Sequence, residues 1–461
     1  MYALAALLLT ACTVGPDYRK PDVHELVPSE WKWKVATASD EAPRGEWWKT
    51  FADPTLDALQ ASALESNPSL RAAVARVDEA RAIAGLARAA FYPQITLDPS
   101  VKRERTSGNP PTPIPFPIPA ARIDTFSLPT DLGYEIDLWG RVRRSFESAR
   151  AQAEASVSDH QSVLLTLTAD VAINYFIVRT LDAEIATLRR TVESRAASLR
   201  IFEERFAAGV LQGVDLEQAR AQAATAASDL ADARRQRAET VDALAVLCGK
   251  PASRFEIAER PLEPRSLAVP SILPSELLER RPDIARAERT LQARNAQIGV
   301  ARAAYFPSIQ LVGQGGFLSD EARRLLVSDS RVWSIGPRIG IPLFTGGRTA
   351  ADVRRAEAVY RQGIADYRAA VLSAVREVED ALAQIALRTE QSASQTEAVR
   401  SAAQVVTLAK ARYDAGTVNY LEVADAERNL LAQQRRLAQL EGQRYAAMVR
   451  LVKALGGGWN S

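Results

Sequence analysis

Two histidines, two cysteines and two methionines are all that 461 residues hold. A His/Cys metal site cannot be assembled from so few ligands, and histidine acid–base chemistry is excluded with it. No clustered carboxylates replace them, so neither catalytic residues, a metal nor a cofactor is expected. Charge of one sign is lacking too. There are 58 Lys and Arg against 56 Asp and Glu, a net of +2. That balance excludes polyanion binding as the main business, and nucleic acid is not an expected partner. Aromatics make up only 7%. With alanine abundant, close-packed helices are favoured over thick globular cores.

The N-terminus reads MYALAALLLTAC. This apolar run is too short to span a membrane. Leu9-Thr10-Ala11-Cys12 has the small residues before a cysteine that mark a bacterial lipoprotein processing site. Residues 1–11 are then a signal peptide and Cys12 carries lipid, each chain contributing about 0.8 kcal/mol per buried CH₂ to anchoring. The alternative is an ordinary secretory stretch with a chance cysteine. No Lys or Arg precedes the run, which points to a start further upstream.

What the chain does have is a duplication. NPSLRAAVARVDEARAIAGLARAAFYPQITL (67–97) returns as RPDIARAERTLQARNAQIGVARAAYFPSIQL (281–311), with 11 of 31 positions identical at an offset of 214. RFAAGVLQGVDLEQA (205–219) returns as RYDAGTVNYLEVADA (412–426) at an offset of 207. The seven extra residues lie in the proline-rich NPPTPIPFPIPAA (109–121). A period this long excludes a solenoid, so each half is a multi-element unit. At the 207 offset Cys248 matches Leu455 and reads as a core hydrophobe rather than a reactive thiol.

Helical pattern starts at Asp53-Pro54, an N-cap followed by proline at the first helical position, and breaks at Asn67-Pro68. Period-two alternation then takes over. Phe126, Leu128, Thr130, Leu132, Tyr134 and Ile136 share one parity, and Thr125, Ser127 and Asp131 make the other mostly polar. Ile309, Leu311, Gly313, Gly315 and Phe317 oppose Gln310 and Gln314. Trp333, Ile335, Ile339, Ile341 and Leu343 alternate with Ser334, Gly336, Arg338 and Gly340. Four strands are predicted, near 94–107, 122–136, 307–318 and 331–344, each with one apolar and one polar face.

Long helical hairpins follow, at 141–247 and 348–455. Positions 164, 167, 171, 174, 178, 181, 185, 188, 192, 195, 199, 202 and 206 step by three and four, and all but Asn174 and Arg195 are apolar. That is coiled-coil spacing. Gly209 and Gly416 mark the turns. The predicted fold is mainly α with a small β part: a duplicated unit of strand, strand and long helical hairpin. The first repeat is 53–248 and the second 281–455. Residues 249–280 form a proline-rich equatorial linker, 12–52 an extended N-terminal segment and 456–461 a tail. Four strands cannot close a membrane barrel, so several chains must pool them.

CTVGPDYRKP, EWWKTFADPTLDAL, NPSL and LLERRPDIARAE with IGVARAAYFPSIQL resemble outer-membrane efflux proteins of the TolC type. Within that family the resemblance is to the lipidated, OprM-like channels of resistance–nodulation–division systems, and it covers nearly the whole chain. It implies a homotrimer with a 12-stranded membrane β-barrel, continued by a periplasmic α-helical coiled-coil barrel. It implies no enzyme activity. It implies a periplasmic adaptor, an inner-membrane resistance–nodulation–division transporter and outer-membrane lipid as partners. Tyr413, Asn419, Leu421, Glu422, Asp425 and Arg428 match the family's periplasmic gate. The turns Ala208, Gly209, Val210, Leu211 and Ala415, Gly416, Thr417, Val418 match adaptor-docking surfaces. The bland reading of Asp425 and Arg428 is a solvated i,i+3 pair. A lipid-anchored coiled-coil scaffold without a pore is the competing class. Type I secretion and metal export are the competing channels.

Overall fold

The computed structural model describes residues 13–33, 38–39, 45–108, 120–262, 269–270 and 280–457. Segment 1–11, Cys12, most of the proline-rich insertion and residues 458–461 lie outside the described residues. The helices are α1 (Pro54–Ser66), α2 (Pro68–Ala89), α3 (Arg141–Ala207), α4 (Gly213–Leu247), α5 (Pro282–Ala303), α6 (Arg348–Asp414) and α7 (Tyr420–Ala454). The strands are β1 (Ala38–Ser39), β2 (Gln94–Leu97), β3 (Ser100–Arg105), β4 (Arg122–Glu135), β5 (Val269–Pro270), β6 (Ser308–Ser319) and β7 (Arg331–Gly340). The duplication is metrical. α2 and α5 have 22 residues each, α3 and α6 have 67, and α4 and α7 have 35. At 1.5 Å per residue, α3 and α6 are each about 100 Å long.

Two compact units divide the chain. The first comprises Met1–Pro21, Val77–Ser156 and Ala287–Tyr367. It holds an antiparallel sheet in the order β2/β3, β4, β6, β7. Where one strand was predicted at 94–107 there are two, because Asp98-Pro99 lies across from Leu128-Pro129. Two prolines without N–H groups open the ladder. The register survives the gap, with Leu97 opposite Thr130 and Ser100 opposite Ser127. Across the kink Pro129 faces Gly316, where a Cβ would fall onto the Leu128 carbonyl oxygen.

Paired residues in such a sheet share a face. Ile95, Leu97, Val101, Phe126, Leu132, Ile309, Leu311, Trp333, Ile335 and Ile339 therefore lie on one side. Thr96, Lys102, Asp131, Gln310, Gln314, Ser334 and Arg338 lie on the other. The apolar face is bare, with Trp333 79% and Ile95 66% exposed.

The N-terminal segment is tied into the same unit. Gly15, at φ +103°, lies so close to Gly299 that a Cβ would stand 2.5 Å from the Gly299 Cα. Asn295 Nδ2 donates to the Pro16 carbonyl (2.9 Å), and the buried Arg144 pairs with Asp17 (2.7 Å).

The second unit comprises Asp22–Arg76, Val157–Arg286 and Arg368–Ser461. Its main core gathers Trp47, Trp48 and Phe51 with Phe176 and Tyr445. The Phe176 ring lies 4.8 Å from Phe51 and 4.7 Å from Tyr445, centroid to centroid. Each such side chain stabilises the fold by about 1.5–3 kcal/mol through burial alone. Asp53 caps α1 by accepting from the Thr55 and Leu56 N–H groups, and also accepts from the Tyr175 hydroxyl (2.6 Å). Burial opposes the Asp53 charge, yet Tyr175 and Arg260 hold its carboxyl below the ordinary value. Gly442 lets α7 close on α3, since a Cβ there would fall onto Thr180 Oγ1.

The two repeats dock by the same backbone logic with different side chains. Asn67 Nδ2 donates to the Leu247 carbonyl at the end of α4 (2.8 Å). At the matching place Arg281 Nη1 donates to Ala454 at the end of α7 (2.7 Å). Arg281 is buried and also holds Asp283 and Glu377. Burial works against the Asp283 charge, but Arg281 outweighs it and holds that carboxyl below the ordinary range. Cys248 is fully buried in the main core, as its match to Leu455 implied.

Candidate functional site

Both hairpin turns stop their helices with the same hydrogen bonds. At the end of α3, Gly209 N donates to Phe206 O and Val210 N to Arg205 O. At the end of α6, Gly416 N donates to Tyr413 O and Thr417 N to Arg412 O. These are Schellman motifs, and each needs a left-handed residue after the helix. Gly209 (φ +74°) and Gly416 (φ +68°) supply it. Thr417 Oγ1 adds a bond to the Arg412 carbonyl (2.9 Å).

Beneath the turns lies a small second core. Phe202, Leu216, Val406, Tyr420 and Val423 are buried together, with Leu199, Leu211, Tyr413 and Leu430 packed against them. Tyr420 is its hub, 4.3 Å from the Phe202 ring and 5.8 Å from Tyr413, both edge-on. One turn deeper is a charge network. Arg195, only 7% exposed, pairs with Glu427 Oε2 at 2.7 Å, and Lys410 takes the other oxygen at 2.7 Å. Arg195 also donates to the Tyr420 hydroxyl (3.3 Å). The polar interruption of the α3 seam is thus a buried guanidinium with a carboxylate and a phenol as acceptors. Asn174, the other interruption, turns back on its own helix and donates to the Asp170 carbonyl.

The residues matched to a gate divide between two faces. Tyr413 is half-buried against the small core and accepts from Arg205 at 3.5 Å. Asp425 and Arg428 form an exposed i,i+3 pair at 2.8 Å. Glu422 pairs with Arg412 at 2.6 Å, also in solvent. Leu421 is 40% exposed. Asn419 precedes α7 without a side-chain cap bond. Ala208, Gly209, Val210, Ala415, Gly416 and Thr417 are exposed, and Val418 is half-buried. An open groove of about 720 Å³ lies at the first turn, lined by Glu203, Phe206, Val214, Glu217 and Arg220 among others. Sequence reading passed over Glu427, Lys410 and Tyr420. The signal was present: Tyr420, Ala424 and Glu427 recur at helical spacing on the face that meets Arg195.

The profile described as outer membrane efflux protein matches residues 59–250 and 273–457. The chain belongs to that family. This efflux channel is 35% identical to the toluene efflux pump outer membrane protein TtgI of Pseudomonas putida, over 100% of this chain and 98% of the relative. It is 32% identical to the cation efflux system protein CusC of Escherichia coli O157:H7, covering 98% and 97%. Against the solved outer-membrane channel OprN the TM-score is 0.88 at 31% identity, covering 97% of this chain and 100% of that one. The efflux channel is accordingly an outer-membrane protein of TolC type with a long periplasmic helical extension. The family is one of channels, not enzymes. Among the described residues no cluster of His, Cys, Asp and Glu is arranged to hold a metal.

Proposed function

We propose that this efflux channel works as a homotrimeric exit duct of a tripartite pump, shut at rest by its hairpin tips. The observation that carries the reading is the sheet. It has one bare apolar face, and among the described residues β7 pairs only with β6 while β2 and β3 pair only with β4. Open strand edges are not tolerated in lipid. Three copies joined edge to edge give twelve strands, a size at which outer-membrane barrels close.

In this reading 53–248 and 281–455 are the two repeats, 249–280 is the equatorial linker, and 12–52 follows a lipid on Cys12. A periplasmic adaptor docks at Ala208–Leu211 and Ala415–Val418, and the apolar groove beside Phe206 and Val214 suits an inserted helix tip. An inner-membrane resistance–nodulation–division transporter delivers the cargo. Tyr413, Asn419, Leu421, Glu422, Asp425 and Arg428 surround the aperture, where a threefold axis gathers three Asp425 carboxylates that attract cations. Relatives of similar identity are named for toluene and for cation efflux, so the pump rather than the duct selects the cargo. Small organic toxicants fit a chain so poor in His and Met.

Native mass spectrometry of the detergent-extracted protein should give a trimer, with acyl chains on Cys12 and conductance in planar bilayers. A monomer without conductance would establish the scaffold reading instead.

A further inference from the structure

We infer that the outer rim of the sheet's apolar face binds a phosphate-bearing lipid headgroup of the outer leaflet through Arg105 and Arg122. The inference rests on the membrane reading of the sheet. Arg105 and Arg122 are direct cross-strand partners at the end of β3 and β4. Thr106 and Ala121 continue the ladder beyond them, so the register is fixed. Like charges directly opposite destabilise a sheet unless an anion lies between them. Among the described residues no acid in the neighbourhood fills that place. Asp124 is held by Arg103 through two bonds of 2.5 and 2.7 Å. Glu104 is on the other face and pairs with Lys102 at 2.5 Å. Among the described residues neither arginine side chain has an ion-pair or hydrogen-bond partner. The adjoining segment 109–119 contains no Asp or Glu.

Position selects the kind of anion. Arg105 and Arg122 share the face of Val101, Phe126, Leu132 and Ile95. At about 3.3 Å per residue and about 40° of tilt, Tyr134 to Phe126 covers about 20 Å along the membrane normal. Tyr134 to Arg122 covers about 30 Å on the same basis. The apolar band of such barrels is about 25 Å tall. The two guanidiniums therefore stand just above the hydrocarbon, at the level of headgroup phosphates. Planar guanidinium forks suit phosphate oxygens, and two of them can clamp one group. A free phosphate would gain the charge but not the apolar contact below it.

The test uses the full-length protein and the Arg105→Gln/Arg122→Gln variant, both in detergent. Each is titrated in native mass spectrometry with a bisphosphorylated glycolipid, with phosphatidylcholine as the neutral control. The parent should retain the glycolipid about tenfold more tightly than the double variant, a difference of about 1.4 kcal/mol. Arg122→Gln alone should give an intermediate loss if the double variant assembles poorly. Arg323→Gln, whose side chain already pairs with Glu321, should change nothing. Equal retention by parent and double variant overturns the inference. Displacement of the glycolipid by millimolar inorganic phosphate overturns the lipid assignment and leaves a free-anion site. Conductance in planar bilayers separates the two levels. If both proteins conduct and retain lipid equally, only this inference fails. If the parent does not conduct, the membrane reading itself fails.

Discussion

Removing the Glu427 carboxylate should loosen the hairpin tips and little else. Arg195 is almost fully buried and has two acceptors there, Glu427 at 2.7 Å and the Tyr420 hydroxyl at 3.3 Å. Glu427→Ala leaves a buried guanidinium with one weak partner, and breaking a buried pair in this way costs about 3–5 kcal/mol. Lys410 is half exposed and loses less than about 1 kcal/mol. Glu427→Gln keeps an acceptor oxygen, so it should cost about 1–2 kcal/mol. A local cost of about 3 kcal/mol raises the open population of the tip more than a hundredfold. Hydrogen exchange should report this on amides of 420–426, while amides in the main core around Leu244 keep their protection. Resting conductance should rise with it. Replacing both partners, as Arg195→Met with Glu427→Leu, should recover most of the loss, because an apolar pair needs no desolvation. Unchanged protection at 420–426 in Glu427→Ala would refute the reasoning. So would an equal loss in the main core, which would make the network a global rather than a local fastener.

Three further outcomes are expected. Asp425→Ala with Tyr413→Phe should raise resting conductance and weaken cation preference without lowering the melting point. The exposed Asp425–Arg428 pair is worth only about 0.3–0.5 kcal/mol within the chain, and unchanged conductance in an assembled trimer would leave it a solvated helix face. Gly442→Ala should destabilise by about 2 kcal/mol, read from thermal unfolding, and Thr180→Ala should restore part of it, because the added methyl falls on Thr180. Acid should destabilise the fold as pH drops below the ordinary carboxylate value of 3.8, where unfolded Asp53 and Asp283 take up protons that their folded, depressed counterparts refuse. Asp283→Asn should flatten that acid limb in a plot of melting point against pH, and an unchanged slope would exclude Arg281–Asp283 as its source.

Much of the fold was legible because it rests on period and punctuation. Asp53-Pro54 announces α1, Asn67-Pro68 divides α1 from α2, and glycines at 209 and 416 end the two long helices. Alternation from Phe126 to Tyr134 marks β4, since a half-exposed strand must change character at every residue. The split between β2 and β3 was harder to see. Pro99 interrupts its own strand, but Pro129 sits across from it only once the register is known. The tip network was only half legible for the same reason: its helical spacing shows in the sequence, but its pairing does not. Arg195 advertised a polar seam position, but its partner lies 232 residues away on α7. Three acids, Glu422, Asp425 and Glu427, compete for it within two turns. Only packing against Tyr420 chooses among them.

The two repeats show which parts of the unit are free to differ. All four hairpin helix ends keep the Schellman geometry, with Gly209, Gly249, Gly416 and Gly456 at positive φ. These backbone demands admit few side chains, so they persist at fixed offset. The capping side chains do not persist: Asn67 serves one repeat and Arg281 the other. Arg281 does more, since its fork also reaches Asp283 and Glu377. Substituting Asn67 by Ala should cost about 1 kcal/mol, whereas Arg281→Ala removes the bond to the Ala454 carbonyl and two ion pairs to carboxylates that water can still reach, and should cost about 2 kcal/mol. The tips diverge in the same manner. Position 425 is Asp where its counterpart 218 is Gln, and 427 is Glu where 220 is Arg. Identical backbone turns therefore carry opposite chemistry. The second presents acids, among them the Glu427 that anchors Arg195 of the first, while the first presents Arg220 beside an apolar groove. A duplicated hairpin whose copies differ only in side chains can divide closing and docking between its halves without a new fold.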